Sequence, residues 1–308
     1  MIINTGMRTD IPAFYSEWLI NRIRQGFVLV RDPFRHELLT RYKLDPEVVD
    51  ILAFCTKNPD PMLRYMNELK KFRQFWFVTV TPYGKDIEPN VPDKNNVLES
   101  FRWLSGAVGK KAVSLRYDPI LISDKYSIEY HIRAFDKITS FLEGYTDSIV
   151  ISFIDLYTKT KRNFPEAREV TADERKELGK AFVRIGEEHG MIVRSCVEGI
   201  ELSQYGIDVS GCMTKEKLEQ ACDIRLDAPK KQTARKECAC LLGSDIGAYN
   251  TCLHFCRYCY ANYDKQTVMK NFSKHDPDSP LLIGNIEKGD IIRNADQYSY
   301  LSDQLTFF

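Results

Sequence analysis

The chain has 308 residues, long for one ordinary domain but normal for a single α/β barrel, and 44% hydrophobic content suffices for a sizeable core. Lysine plus arginine and aspartate plus glutamate both number 43, a balance that excludes a general attraction to polyanions while leaving room for a local basic patch. Met1-Ile2-Ile3-Asn4 lacks the basic stretch and apolar run of a secretory signal, and no long apolar span follows, so a cytoplasmic protein without membrane contact is expected.

Along the chain, short apolar runs that end in polar clusters alternate with helical stretches. Strands are expected over Met1–Thr5, Gly26–Arg31, Asp50–Thr56, Phe75–Thr81, Ala112–Arg116, Ser148–Ile154 and Met191–Ser195, each apolar nearly throughout, as strands covered on both faces are. Helices are expected over Ala13–Gln25, Pro59–Phe72, Val97–Val108, Ser127–Leu142 and Thr171–His189. The last opens on a capping box, Thr171-Ala172-Asp173-Glu174, and closes at Gly190. This rhythm implies an α/β fold with a mostly parallel sheet. A complete or partial (β/α) TIM-like barrel over residues 1–200 fits best, with an open doubly wound sheet as the competing arrangement. Residues 201–308 read as a polar connection, a cysteine-rich metal-binding segment and a tail, laid on the barrel and ordered by the metal.

The strand ends carry Arg8-Thr9-Asp10, Thr56-Lys57-Asn58-Pro59, Thr81-Pro82-Tyr83-Gly84, Arg116-Tyr117-Asp118-Pro119 and Asp155-Leu156-Tyr157. In a parallel barrel all these ends open on one face, so the groups would converge on one mouth. Arg8, Lys57 and Arg116 suit an anionic part of a cofactor or substrate. Asp118 and Asp155 suit hydrogen bonds to a ribose or proton transfer. The structural reading of the same residues is turn formation at Asp118-Pro119 and an ion pair between Arg8 and Asp10. His36, His131 and His189 lack metal-type spacing, and His275 suits either a turn or the site.

Nine cysteines, clustered toward the C-terminus, argue for metal or redox chemistry rather than a disulfide framework. The run Cys252-Leu253-His254-Phe255-Cys256-Arg257-Tyr258-Cys259-Tyr260 spaces three thiols C-x3-C-x2-C, which one loop can aim at a single iron–sulfur cluster, leaving one iron without a protein ligand. Structural zinc is the alternative, assembled from these thiols with His254 and with Cys238 and Cys240. Cys55, Cys196, Cys212 and Cys222 lack ligand-like spacing and read as ordinary thiols.

Thr56-Lys57-Asn58-Pro59, Thr81-Pro82-Tyr83-Gly84, Arg116-Tyr117-Asp118-Pro119-Ile120, Asp245-Ile246-Gly247, the cysteine run to Asn262 and His275-Asp276-Pro277 together resemble the bacterial family known as domain of unknown function 1848. The cysteine run is similar to that of radical S-adenosylmethionine enzymes related to spore photoproduct lyase. That resemblance implies a [4Fe–4S] cluster on Cys252, Cys256 and Cys259, with S-adenosylmethionine on the open iron and Tyr258 beside its adenine. Arg8 and Asp10 join Tyr258 as cofactor-binding candidates, and Arg116, Asp118, Asp155 and Lys57 are the catalytic ones. An electron donor of flavodoxin or ferredoxin type is implied as well. In those enzymes the cluster loop follows the first strand, whereas here it comes late, so either the barrel is permuted or the cluster arrives from outside it. Gln304-Leu305-Thr306-Phe307-Phe308 resembles the short peptides that dock on the DNA sliding clamp, which would make a nucleic-acid lesion or modified nucleotide the substrate class. The competing class is a non-catalytic iron–sulfur or zinc protein, acting as a redox sensor or binding module.

Overall fold

The computed structural model describes residues 1–229, 238–241 and 243–302. The peptide Gln304–Phe308 lies outside them.

The strands are β1 (Ile2–Asn4), β2 (Phe27–Arg31), β3 (Leu38–Lys43), β4 (Ile51–Thr56), β5 (Gln74–Thr79), β6 (Val113–Ile120), β7 (Ser148–Phe153), β8 (Ile192–Ser195), β9 (Ser244–Asp245) and β10 (Ile291–Asn294). Seven of them form one sheet in the order β8-β7-β6-β5-β4-β1-β9, and every pairing in it is parallel. From β1 to β8 the order follows the chain without reversal. With crossovers of the usual right hand, such an order would carry its connecting helices on one face, whereas a doubly wound sheet reverses its order and carries them on both. Yet β8 and β9 do not pair, so the sheet is open and the complete TIM barrel is not formed.

The expected strand at Gly26–Arg31 forms but does not belong to this sheet. It pairs antiparallel with β3, which pairs in turn with β10, in a small second sheet. Leu29 finds cover from Leu39 and Leu281, while Val28 and Val30 on the strand's other face join the main core. The seventh place in the main sheet goes to β9, from the segment read as the cysteine-bearing one.

Side chains alternate across each strand, which splits the sheet chemically. On the helix-covered face Phe54 stacks on Trp76 with ring centroids 3.8 Å apart, and Tyr117 meets Phe135 and Phe182 of the helices Ile128–Leu142 and Ala172–Glu188. The second of these helices carries the capping box at Thr171 and Glu174. The opposite face is more polar: Ser114 and Ser148 share a 2.6 Å hydrogen bond, and Arg116 lies over the Phe77 ring. One continuous core runs from Met1 to Tyr300 and takes in Leu202, Ile207, Met213, Leu218 and Leu226, so residues beyond 200 share the core of the sheet and its helices. Among the described residues no helix is long and apolar enough to cross a membrane.

Candidate functional site

All seven main-sheet strands point their C-terminal ends at one rim, and the cysteine loop lies across it. Backbone bonds run from Asn90 N–H to His254 O at 3.2 Å and from Arg257 N–H to Ile87 O at 3.0 Å. Side chains complete the attachment, Tyr15 Oη donating to Thr251 O at 2.6 Å and Tyr260 to Met7 O, while Asn262 Nδ2 donates to Cys252 O at 2.8 Å within the loop. The loop turns back on itself at Asn250 and Phe255, both left-handed at φ of 59° and 55°. Gly6 lets the segment after β1 pass close to β4, for a Cβ there would stand 2.2 Å from Cys55 O.

Asp10 is the first fixed point under the loop. Its carboxylate caps the helix Ile11–Phe14 through Ala13 N–H at 3.0 Å, accepts Lys57 N–H at 2.8 Å, and lies 2.9 Å from His254 Nε2. Arg8 is not its partner, contrary to the structural reading; Arg8 sits over Tyr249 and 3.8 Å from Asp245. Asp245 takes N–H bonds from Met7 and Gly247, and burial pushes its pKa up to about 6.

The second fixed point is Glu88, which the sequence reading passed over inside a polar turn. Only 1% exposed, it gathers Lys57 Nζ at 2.8 Å, Thr81 Oγ1 at 2.7 Å, Lys94 and the Tyr258 hydroxyl. Burial alone would raise its pKa, but Lys57 and Lys94 outweigh burial and hold it at about 2. Lys57 also lies over the Tyr258 ring, 5.5 Å from its centroid, so the cofactor candidate Tyr258 is aimed from two sides.

Arg116 and Asp118 form an ion pair within β6, with Nε to Oδ2 at 3.0 Å, and Ser152 donates to the same carboxylate. Asp155 is exposed and accepts the Tyr157 hydroxyl at 2.9 Å. Nearby Glu198, also missed in the sequence, is buried against Phe153 N–H at 2.9 Å and Arg175 at 3.1 Å. Burial outweighs Arg175 and lifts its pKa to about 8. A carboxyl raised in this way favours folding below the usual carboxylate range and loses that contribution as pH rises through 8. Glu198→Gln should therefore flatten the fall in melting temperature between pH 5 and pH 8.5, measured against the parent chain. Parallel pH curves would remove Glu198 as the cause.

Cys252, Cys256 and Cys259 share this rim with Lys57 and Glu88, and Ala261 N–H donates to Cys259 Sγ at 3.3 Å. Burial pushes all three thiols upward, so ionising them calls for a cation at the sulfurs. Among the described residues, no three His, Cys, Asp or Glu side chains are placed to hold a metal ion as they stand. Three buried polar atoms around the loop nonetheless lack a partner among the described residues: His254 Nδ1, Asn262 Oδ1 and Thr9 Oγ1. A cleft of about 220 Å³ bordered by Phe255, Cys256, Asn262 and Lys265 leads to the same place from solvent. These residues fit a three-thiolate cluster with a further ligand: clustered thiols, an N–H···S bond and orphaned acceptors.

The histidines divide plainly. Buried His131 bridges Tyr117 Oη and Leu121 O at 2.8 Å each, and burial lowers its pKa to about 4. His275 Nδ1 is 2.7 Å from Leu282 O and its ring meets Tyr15, outside the thiol group. Of the other cysteines, Cys196, Cys212 and Cys240 meet sulfur to sulfur, a grouping their sequence spacing concealed.

The family model described as Domain of unknown function (DUF1848) matches residues 2–261, from β1 through the cysteine triad. Comparison with curated proteins finds no match.

Proposed function

The chain belongs to the family of domain of unknown function 1848, which brings no reaction with it, and from its site we propose a radical S-adenosylmethionine enzyme. In this reading Cys252, Cys256 and Cys259 hold a [4Fe–4S] cluster whose open iron takes the cofactor. The observation that carries it is the place of the loop. In the enzymes this motif resembles, the cluster loop follows the first strand; here it follows β9, which lies outside β1 at the sheet edge. The late position in the chain is therefore a first position in space, as a permuted partial barrel requires.

When bound and reduced, the cluster with S-adenosylmethionine supplies an adenosyl radical able to take hydrogen from a substrate C–H bond. The chain's own residues bind and orient. Tyr258, fixed by Glu88 and Lys57, offers its ring to the adenine. His254 Nδ1, Asn262 Oδ1 and Thr9 Oγ1 accept donors from the cofactor's amino and hydroxyl groups. Arg8, half-exposed beside Asp245, suits a carboxylate. Arg116 with Asp118, and Asp155 with Glu198, line the remainder of the rim where a substrate would enter.

The test is anaerobic reconstitution with iron and sulfide, followed by dithionite and S-adenosylmethionine. Release of 5′-deoxyadenosine, slow without substrate, is expected. A bound cluster that neither binds nor cleaves the cofactor would favour a redox sensor instead.

A further inference from the structure

Four cysteines outside the triad come together near Arg116 and Asp118. Cys212 Sγ lies 3.6 Å from Cys196 Sγ and 3.4 Å from Cys240 Sγ, and Cys238 interacts side chain to side chain with Cys240. They arrive from three separate stretches of chain, each tied in by backbone bonds. Cys196 follows β8 and donates its N–H to Ile151 O at 3.1 Å; Asp208 N–H donates to Val193 O at 2.9 Å and brings in the Cys212 stretch; Leu241 N–H donates to Met213 O at 2.8 Å and brings in Cys238 and Cys240.

The backbone is shaped for this meeting. Gly211 has φ of 120°, and a Cβ there would stand 3.1 Å from Thr214 Cγ2, 3.6 Å from Cys240 Sγ and 3.7 Å from Ala239 Cβ. The positive φ favours glycine there, and the Thr214 methyl would have to give way to any side chain. Val197, directly after Cys196, holds a left-handed φ of 60°, rare for a β-branched residue. Met213 N–H donates to Cys240 Sγ at 3.2 Å, the kind of second-sphere bond that orients a thiolate ligand.

We propose that Cys196, Cys212, Cys238 and Cys240 form a second metal centre, a tetrahedral four-thiolate site for a single zinc ion that pins the segment after β8 to the sheet. Size selects the ion. With Zn–S near 2.3 Å, the sulfurs of a tetrahedral site stand about 3.8 Å apart, close to the spacings found through Cys212. A cubane puts each thiolate on a different iron and spreads them more widely. The thiols run in a line through Cys212, so side-chain rotation would gather them around the ion. The site stands whether or not the triad carries a radical-type cluster.

Elemental analysis of the full chain with Cys252, Cys256 and Cys259 all changed to serine tests it. About one zinc per chain is expected to remain, and cobalt(II) added to the zinc-stripped protein should give intense thiolate charge-transfer bands with tetrahedral ligand-field absorption. Adding Cys212→Ser should cut zinc and the cobalt spectrum at least tenfold, whereas Cys222→Ser should change neither. Zinc-free protein, zinc that survives Cys212→Ser, or cubane iron in the triad variant would each overturn the assignment. If Cys212→Ser does not fold by circular dichroism, Cys238→Ser, nearer the surface, is read in its place with the same expected loss.

Discussion

Cys256→Ala should strip the anaerobically reconstituted protein of its iron, from about four per chain to nearly none, and take 5′-deoxyadenosine release below detection. Two thiolates cannot hold a cubane that three hold with one iron left open. Cys256 is the most buried of the triad and borders both the cleft and the Lys57–Glu88 pair, so no neighbouring thiol can replace it. The fold, by contrast, should survive. The loop is anchored to the rim by Asn90, Arg257, Tyr15 and Tyr260 and braced within itself by Asn262, all bonds that need no metal. Exchanging a buried thiol for a methyl group costs about 1 kcal/mol, or a few degrees in a chain of this size. Survival of the fold would exempt residues 250–263 from the expectation that the segment 201–308 is ordered by metal. Hydrogen exchange of residues 250–263 that matched the parent, with iron lost, would bear this out. Retention of a full iron complement in Cys256→Ala would remove the triad as the cluster site.

What the sequence made legible follows from how local each signal is. Continuous apolar runs at Ile51–Thr56 and Ser148–Phe153 announce strands buried on both faces, and the triad announces itself because three thiols, Cys252, Cys256 and Cys259, fall in one short run of chain. Which sheet a strand joins is not local. Phe27–Arg31 looks as barrel-like as its neighbours and pairs elsewhere, whereas Ser244–Asp245, two polar residues with no pattern to read, fills the edge position that orients the cysteine loop. Strand-end charges were legible as a rim, but their partners were not. Arg116 turns to Asp118 in its own strand, and Asp10 turns to His254, 244 residues away. Cys196 and Cys212 looked unremarkable because their meeting depends on the path of residues 196–213 across the sheet. Glu88 gave no signal either, since a glutamate between isoleucine and proline reads as a solvated turn, and only the fold shows that two lysines, a threonine and a tyrosine close over it.

Glu88→Ala should then be among the most damaging single changes in the molecule, costing roughly 3–5 kcal/mol, because it leaves charge buried without its counterion. The side chain of Lys94 is 26% exposed and can swing to water, but that of Lys57 is 13% exposed and lies under Tyr258. Glu88→Gln keeps the shape and can still accept from Thr81 and Tyr258, so it should lose about half as much stability while leaving Lys57 in excess charge. Acid titration separates a paired carboxylate from simple packing. Glu88 sits at about 2 when folded against 4.5 ordinarily, so its stabilising contribution is complete above 4.5 and is lost as pH falls through 2. The parent chain should accordingly lose more stability than Glu88→Gln between pH 5 and pH 2.5. Tyr258 supplies the functional readout: with its hydroxyl anchor weakened, affinity for S-adenosylmethionine should fall in Glu88→Gln while iron content is kept. If both acid sensitivity and cofactor affinity match the parent, Glu88 is a packing residue, and the ring of Tyr258 is held by Lys57 and its neighbours alone.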